Sequence, residues 1–309
     1  MNKQNTIFQK PIVVILSAVF CCLLWGSAFP SIKVGYQLFA IESNDTAAQI
    51  LFAGTRFTIA GLMVIVFGSL IQKQFLKPSK AAIPKVFVLS MLQTALQYLF
   101  FYVGMAHTTG VKGSIVTASN VFLCIIVSTL IFKLEKLNGK KLLGCVIGFA
   151  GVVLINMTGT TDMSFNFLGD GFIFLSALTY AFSAVFIKIY SRTENPVMLS
   201  GYQFLAGGIV MMLVGLIAGG RIEAVTTTGI VLLLYMGFIS AGAYTLWGIL
   251  LKYNPVSKVT VYGFSNPVFG VILSALILQE GTAFSGQSIV ALMLVCVGII
   301  VVNYEKNKI

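Results

Sequence analysis

Ten long apolar runs, separated by short charged or turn-rich connections, constrain this chain more than any other feature of it. They lie near residues 11–33, 49–71, 85–106, 113–132, 141–157, 169–190, 198–218, 228–250, 257–278 and 285–303. A helix needs about 20 residues to cross the hydrocarbon core of a bilayer, and these runs are long enough and apolar on every side, unlike a strand or an amphipathic surface helix. The fold class is therefore all-α and polytopic, with ten transmembrane helices. Only 9% of the 309 residues are charged, against roughly 25% in a soluble domain. Ten spans use about 200 residues, which leaves no stretch for a soluble catalytic, ATP-hydrolysing or nucleic-acid-binding domain. The first run carries Trp25 and Pro30 and lacks an A-x-A cleavage site after its apolar stretch, so it reads as a retained span and not as a signal peptide.

The net charge of +11 is explained by sorting the basic residues by loop. Sixteen of the twenty fall on one side, including Lys73, Lys77, Lys80 and Lys85 in one loop and Lys133, Lys136, Lys140 and Lys141 in another. Lys33, Arg56, Lys112 and Arg221 fall on the other side or just beneath it. Cytoplasmic loops are the ones enriched in Lys and Arg, so both termini are expected in the cytoplasm, and no nucleic acid or acidic partner is needed to account for the charge. Cys21, Cys22, Cys124, Cys145 and Cys296 all lie inside spans, so neither a disulfide framework nor a metal site is expected. Asn44-Asp45-Thr46 matches a glycosylation tripeptide by chance.

The two halves of the chain resemble each other. At an offset of 146, Tyr98 pairs with Tyr244, Phe101 with Trp247, Lys112 with Lys258, Ser119-Asn120 with Ser265-Asn266 and Ser128 with Ser274. At 147, Arg56-Phe57…Ala60-Gly61 falls on Gln203-Phe204…Gly207-Gly208, and Gly151…Asn156 on Gly298…Asn303. At 155, Trp25…Lys33 meets Tyr180…Lys188. Each half, 1–158 and 159–309, is thus expected to hold five spans. Five is odd, so the second half enters the membrane inverted relative to the first. Inverted repeats place a solute site near the midplane between halves that rock to open it to each side in turn, the arrangement of a secondary transporter.

The ordered, doubled motifs are similar to those of the drug/metabolite transporter superfamily, in its EamA group of ten-span carriers. They are Trp25-Gly26-Ser27-Ala28-Phe29, Arg56-Phe57, the run from Gly110 to Glu135, and its counterpart from Asn254-Pro255-Val256 through Phe264-Ser265-Asn266-Pro267-Val268 to Gln279-Glu280. The resemblance covers nearly the whole chain. It implies a central cavity lined mostly by the first, third, fourth, sixth, eighth and ninth spans, and substrates among amino acids, other small metabolites and quaternary amines. Where that family often closes the fourth and ninth spans with Gly-Glu, this chain has Leu134-Glu135 and Gln279-Glu280.

Polar groups inside a bilayer are candidate functional groups because leaving them unpaired there is costly. Gln93, Gln97 and Phe101 recur every four residues on the third span, as do Met236, Ser240 and Tyr244 on the eighth, with Trp247 beside them. Hydrogen bonding between helices is the competing reading. Asn120 and Asn266 are repeat mates, and Pro267 after Asn266 interrupts the backbone ladder and frees a carbonyl. Trp25, Tyr98, Tyr102, Tyr180, Tyr244 and Trp247 supply rings for an aromatic box. The expected substrate-binding set is Trp25, Gln93, Gln97, Phe101, Asn120, Tyr180, Ser240, Tyr244, Trp247 and Asn266. No acidic residue falls in mid-span; His107 reads as a solvated or capping residue at a span end, and Lys33, Arg56 and Lys112 as snorkelling to the headgroups. Gly144-x-x-x-Gly148 and Gly215-x-x-x-Gly219 are spaced for close helix packing. No phosphate loop, metalloprotease or serine-hydrolase motif occurs, so no enzyme activity and no cofactor are expected.

The sequence thus points to a secondary carrier in the cytoplasmic membrane whose partners are a small-molecule substrate and the lipid bilayer. An amino acid or related zwitterion is the first expectation and a quaternary amine the second. Export is inferred from family habit, and the choice between monomer and homodimer stays open. An intramembrane enzyme would need a converging acid, base or nucleophile set, and a non-transporting sensor would need a signalling domain.

Overall fold

The computed structural model describes residues 7–108, 110–156, 165–278 and 286–304, all helical or in short connections. The helices follow the apolar runs, with ends displaced by a few residues: α1 (Pro11–Leu38), α2 (Thr46–Gln72), α3 (Ile83–Ala106), α4 (Gly110–Ala118, Asn120–Ile126 and Val127–Ile131) and α5 (Gly139–Asn156). Then come α6 (Phe167–Tyr190), α7 (Pro196–Ile217), α8 (Thr227–Tyr253), α9 (Val256–Thr260, Val261–Phe264 and Ser265–Leu278) and α10 (Gly286–Asn303). Among the described residues, α1, α2, α3, α6, α7 and α8 are long and apolar enough to cross a membrane. The outer faces carry large apolar side chains such as Leu16, Phe67, Leu70, Phe87 and Leu213, and Ile217 is 86% exposed. An apolar exterior of this extent suits lipid and not water.

Local sequence sets where the helices begin. Asp45 accepts a hydrogen bond from the Ala48 N–H at 2.8 Å, so Asn44-Asp45-Thr46 carries the N-cap of α2. Asn195 caps α7 ahead of Pro196, and Thr226 caps α8 through the Gly229 N–H.

The broadest helix contact is α2 on α7. A Cβ on Gly54 would stand 2.5 Å from the Met212 nitrogen, and one on Gly61 only 2.4 Å from the Leu205 nitrogen. One on Gly208 would meet the Thr58 nitrogen at 2.5 Å, and one on Gly215 the Leu51 nitrogen at 2.6 Å. The two backbones therefore touch, as small residues permit within a membrane. Gly54, Gly61 and Gly68 are offset by 147 from Gly201, Gly208 and Gly215. A second seam joins α5 to α10, where Gly144 meets the Gly298 carbonyl and Gly298 meets Gly148. The Gly144/Gly148 spacing thus serves packing as expected. Gly215/Gly219 does so only in part, because a Cβ on Gly219 would meet nothing within 4 Å and Gly219 adopts φ +91° where α7 ends.

Contacts cross between the halves at every other helix of the centre: α1 packs on α8 and α9, and α6 packs on α3 and α4. Three helices in this central group are interrupted along their length, and α6 opens on a π turn at Phe167–Gly171. A π turn at Ser90–Ala95 interrupts α3, α4 breaks at Ser119, and a 3-10 turn at Val261–Phe264 breaks α9. Pro267 consequently sits in the first turn after the break in α9, where the lack of an N–H is least disruptive.

Candidate functional site

A cavity of about 190 Å³ lies among α1, α3, α4, α6, α8 and α9, with α2 behind it. Four rings close its floor. Phe57 stacks on Phe204 with centroids 5.5 Å apart, Phe57 lies 4.4 Å from Tyr98, and Phe204 meets Tyr244 edge-on at 5.0 Å. The Tyr98 and Tyr244 hydroxyls then share a hydrogen bond of 2.8 Å. Each ring is thus joined to its own counterpart at an offset of 146 or 147, Phe57 to Phe204 and Tyr98 to Tyr244. Trp25 rests edge-on against Tyr244 at 5.0 Å and Trp247 at 4.9 Å.

Of the residues expected at a site, Trp25, Gln97, Phe101, Asn120, Tyr180, Ser240, Tyr244 and Asn266 line this cavity together. Gln93 does not line it. The π turn inserts an extra residue into the helical period, so Gln93 and Gln97 do not share a face as four-residue spacing implies. Trp247 is packed behind Trp25, only 1% exposed, and supports the wall without lining it. Several polar atoms at the cavity are buried without a hydrogen-bond partner: Trp25 Nε1, Gln97 Oε1, Asn266 Oδ1 and Arg56 Nε. Buried polar groups in folded proteins are nearly always paired, so a cluster of unpaired ones marks a place where something else supplies the partner.

Arg56 departs from the sequence reading. It does not snorkel to the headgroups but is 4% exposed and lines the cavity. Depth arithmetic reveals it: Arg56 lies ten residues into α2, about 15 Å at 1.5 Å per residue, roughly half the hydrocarbon thickness. Tyr98, Phe29, Ser176 and Thr260 also line the cavity. The lining carries no carboxylate among the described residues. His107 ends α3, exposed, with Nδ1 2.8 Å from the Val103 carbonyl oxygen.

The lining reaches Ile32, Met105 and Gly113 toward the end of the bundle where α3 meets α4. The opposite end is held by Glu135, after α4. Its carboxylate pairs with Lys141 at 2.6 Å, accepts the Ser257 N–H at 3.1 Å and accepts the Ser257 hydroxyl, tying the α4–α5 connection to the start of α9. Burial pushes the Glu135 pKa up, but the hydrogen bonds from Lys141 and Ser257 outweigh it and hold the carboxyl below its ordinary value. Nearby, the Lys188 amine donates to the Leu251 and Asn254 carbonyls where α8 ends. Glu280, the sequence counterpart of Glu135, lies outside the described residues.

The family model described as the EamA-like transporter family matches residues 12–157 and, a second time, residues 167–304. The chain belongs to the EamA-like transporter family. It is 26% identical over 307 residues to the uncharacterized inner membrane transporter YedA of Escherichia coli strain K12, covering 94% of this chain and 90% of that one. An uncharacterized transporter of Archaeoglobus fulgidus is 27% identical over 271 residues, covering 88% of this chain and 80% of that one. A WAT1-related chloroplastic protein of Arabidopsis thaliana is 23% identical over 305 residues, covering 96% and 70%. A crystal structure superposes with a TM-score of 0.75 over 94% of this chain and 96% of that chain, at 17% identity, and shares the fold. This EamA-like protein is accordingly a multi-pass membrane transporter of the drug/metabolite type.

Proposed function

We propose that this transporter is a ten-span secondary carrier of two inverted five-helix repeats, 1–158 and 159–309, that moves a small polar or zwitterionic metabolite by alternating access. An amino acid or related compound is the substrate class, and export across the cytoplasmic membrane is the direction. The observation that carries the reading is the cavity between the halves, in which Gln97 Oε1, Asn266 Oδ1 and Trp25 Nε1 are buried without partners. A polar solute entering there loses its hydrogen bonds to water, at a cost of a few kcal/mol per unpaired group. Acceptors and donors waiting unpaired around the cavity restore those bonds, and the surrounding rings cover the apolar part of the solute. The breaks in α4 and α9 beside Asn120 and Asn266 also suit a carrier, since irregular helices in a membrane belong where they line a cavity.

Rocking has a natural pivot in the ring-and-glycine seam of α2 and α7. In this reading the Glu135 end faces the cytoplasm, as the lysine-rich loops argue, and the structure is a state closed at that end. The purified protein reconstituted into liposomes loaded with an unlabelled amino acid mixture should take up labelled amino acid by counterflow without ATP. Uptake equal to that of protein-free liposomes for every amino acid offered would overturn the substrate class.

A further inference from the structure

Among the described residues, Arg56 is the only basic side chain lining the cavity, and no acidic side chain lines it. Its guanidinium carbon stands 4.4 Å from the centroid of the Phe57 ring and 6.0 Å from that of Tyr98, while Nε has no partner. No ion pair or hydrogen bond joins the guanidinium to any described residue. An arginine does not escape burial by losing its proton, and an unpaired charge away from water is costly. The rings beneath it satisfy one face of the plane by cation–π attraction and leave the edge, with its fork of N–H donors, unanswered. The equivalent position in the second half shows that this location does not require a charge. Gln203 occupies it, wholly buried; its Oε1 accepts the Thr94 hydroxyl at 2.6 Å, and only its neutral Nε2 is left without a partner. The first half has a cation with nothing to hold; the second has a neutral amide tied to the wall.

We propose that Arg56 is the anchor for a carboxylate on the transported solute. The proposal deepens the carrier reading and rests on it. A single guanidinium matches a single negative charge and presents the planar fork that a carboxylate accepts in two parallel hydrogen bonds. Across the same cavity, Gln97 Oε1 and Asn266 Oδ1 are free acceptors, suited to an ammonium group. The site is thereby polarised, donors toward α1 and α2 and acceptors toward α3 and α9, and an α-amino acid fills it in one orientation. A quaternary amine lacks both the carboxylate and the N–H groups, and it brings a second positive charge beside the guanidinium. The aromatic rings around the cavity therefore serve Arg56 and the solute's apolar part, and not a cationic ligand.

The test is thermal unfolding of the full-length protein in detergent, read against the proteinogenic L-amino acids, each paired with its own α-amide, and against choline and inorganic phosphate. A ligand that binds only the folded state raises the unfolding temperature. At least one amino acid should raise it while the matched amide, choline and phosphate do not. In Arg56→Gln the affinity for that amino acid should fall roughly 10- to 100-fold, the range for a hydrogen-bonded charge, with Arg56→Lys intermediate. The proposal is overturned if no amino acid stabilises the wild type, if acid and amide stabilise equally, if choline is the ligand, if phosphate alone reproduces the effect, or if Arg56→Gln binds as well as wild type. Should Arg56→Gln fail to fold, the acid-against-amide comparison on the wild type decides alone. Liposome counterflow separates this from the carrier reading: Arg56-dependent binding without movement sinks the carrier, and movement that ignores Arg56 sinks the anchor.

Discussion

The seam between α2 and α7 and the cavity beside it draw on the same stretch of chain yet treat polar groups differently. In the seam, backbones touch at Gly54, Gly61 and Gly208, the Thr58 hydroxyl donates to the Gly54 carbonyl, and Gln203 Oε1 is tied to Thr94. In the cavity, Arg56, Gln97 and Asn266 are buried with polar atoms unanswered. Arg56 and Gln203 hold equivalent places in the two halves, so the difference cannot be attributed to the fold. The seam ties Gln203 through its Oε1 and leaves its neutral Nε2 without a partner, whereas the cavity gathers several unpaired polar atoms around one charge, and that contrast predicts different responses to mutation.

The largest effect belongs to the seam. Gly61→Leu places a Cβ 2.4 Å from the Leu205 nitrogen, against backbone that cannot move aside as a side chain can. A loss of about 3 kcal/mol or more is expected, the upper end for overpacking, seen as a lower unfolding temperature in detergent. Gly242→Ala is the matched control, since its Cβ would meet nothing nearer than 3.8 Å. If Gly61→Leu unfolds where the control does, the seam is not the tight joint described.

A second set of variants divides the amides by partner. Gln203→Ala removes the acceptor of the Thr94 hydroxyl and leaves a buried donor unpaired, so it should lower stability by about 1–3 kcal/mol while sparing binding. Gln97→Ala and Asn266→Ala remove oxygens that pair with nothing among the described residues, and should do the reverse: substrate binding weakens by about 1–3 kcal/mol while the unfolding temperature holds. Calorimetry for binding and thermal scans for stability read the two axes separately. Loss of stability with normal binding in Gln97→Ala and Asn266→Ala would make these amides structural.

How far the sequence reveals all this depends on the scale of the feature. Each helix is legible because about 20 apolar residues have one stable form in lipid, and the described helices end within a few residues of the apolar runs. The repeat offset is legible too, and its mates Tyr98 with Tyr244 and Phe57 with Phe204 prove to be in contact. Gln93 is misplaced because periodicity assumes an unbroken α-helix and the π turn at Ser90–Ala95 carries no sequence mark. Trp247 is misplaced because Trp25 stands in front of it, a matter of packing between distant segments. Arg56 was readable in principle from its depth in α2, but only once the start of that helix at Thr46 is known.

The end of the bundle held by Glu135 gives a smaller and pH-dependent effect. Because folding lowers this carboxyl's pKa below its ordinary 4.5, its stabilisation is present above that value and is lost as pH falls through the folded value. Glu135→Gln should cost about 1–2 kcal/mol at neutral pH and should abolish that part of the wild-type acid sensitivity. Parallel stability-against-pH curves for the two proteins below pH 4.5 would remove Glu135 from this role.

The smallest effect is expected at the floor of the cavity, where seam and site meet. Tyr98 and Tyr244 share one hydrogen bond between their hydroxyls. In Tyr98→Phe or Tyr244→Phe one hydroxyl loses the other, so each loss should be only about 0.5–1.5 kcal/mol, the net worth of one neutral hydrogen bond. The double variant should lose less than the sum of the two, because removing both hydroxyls strands neither on the other, and residues sharing a hydrogen bond are coupled in such a cycle. Single effects that simply add would mean that the hydroxyls do not meet, and that the floor is held by ring packing alone.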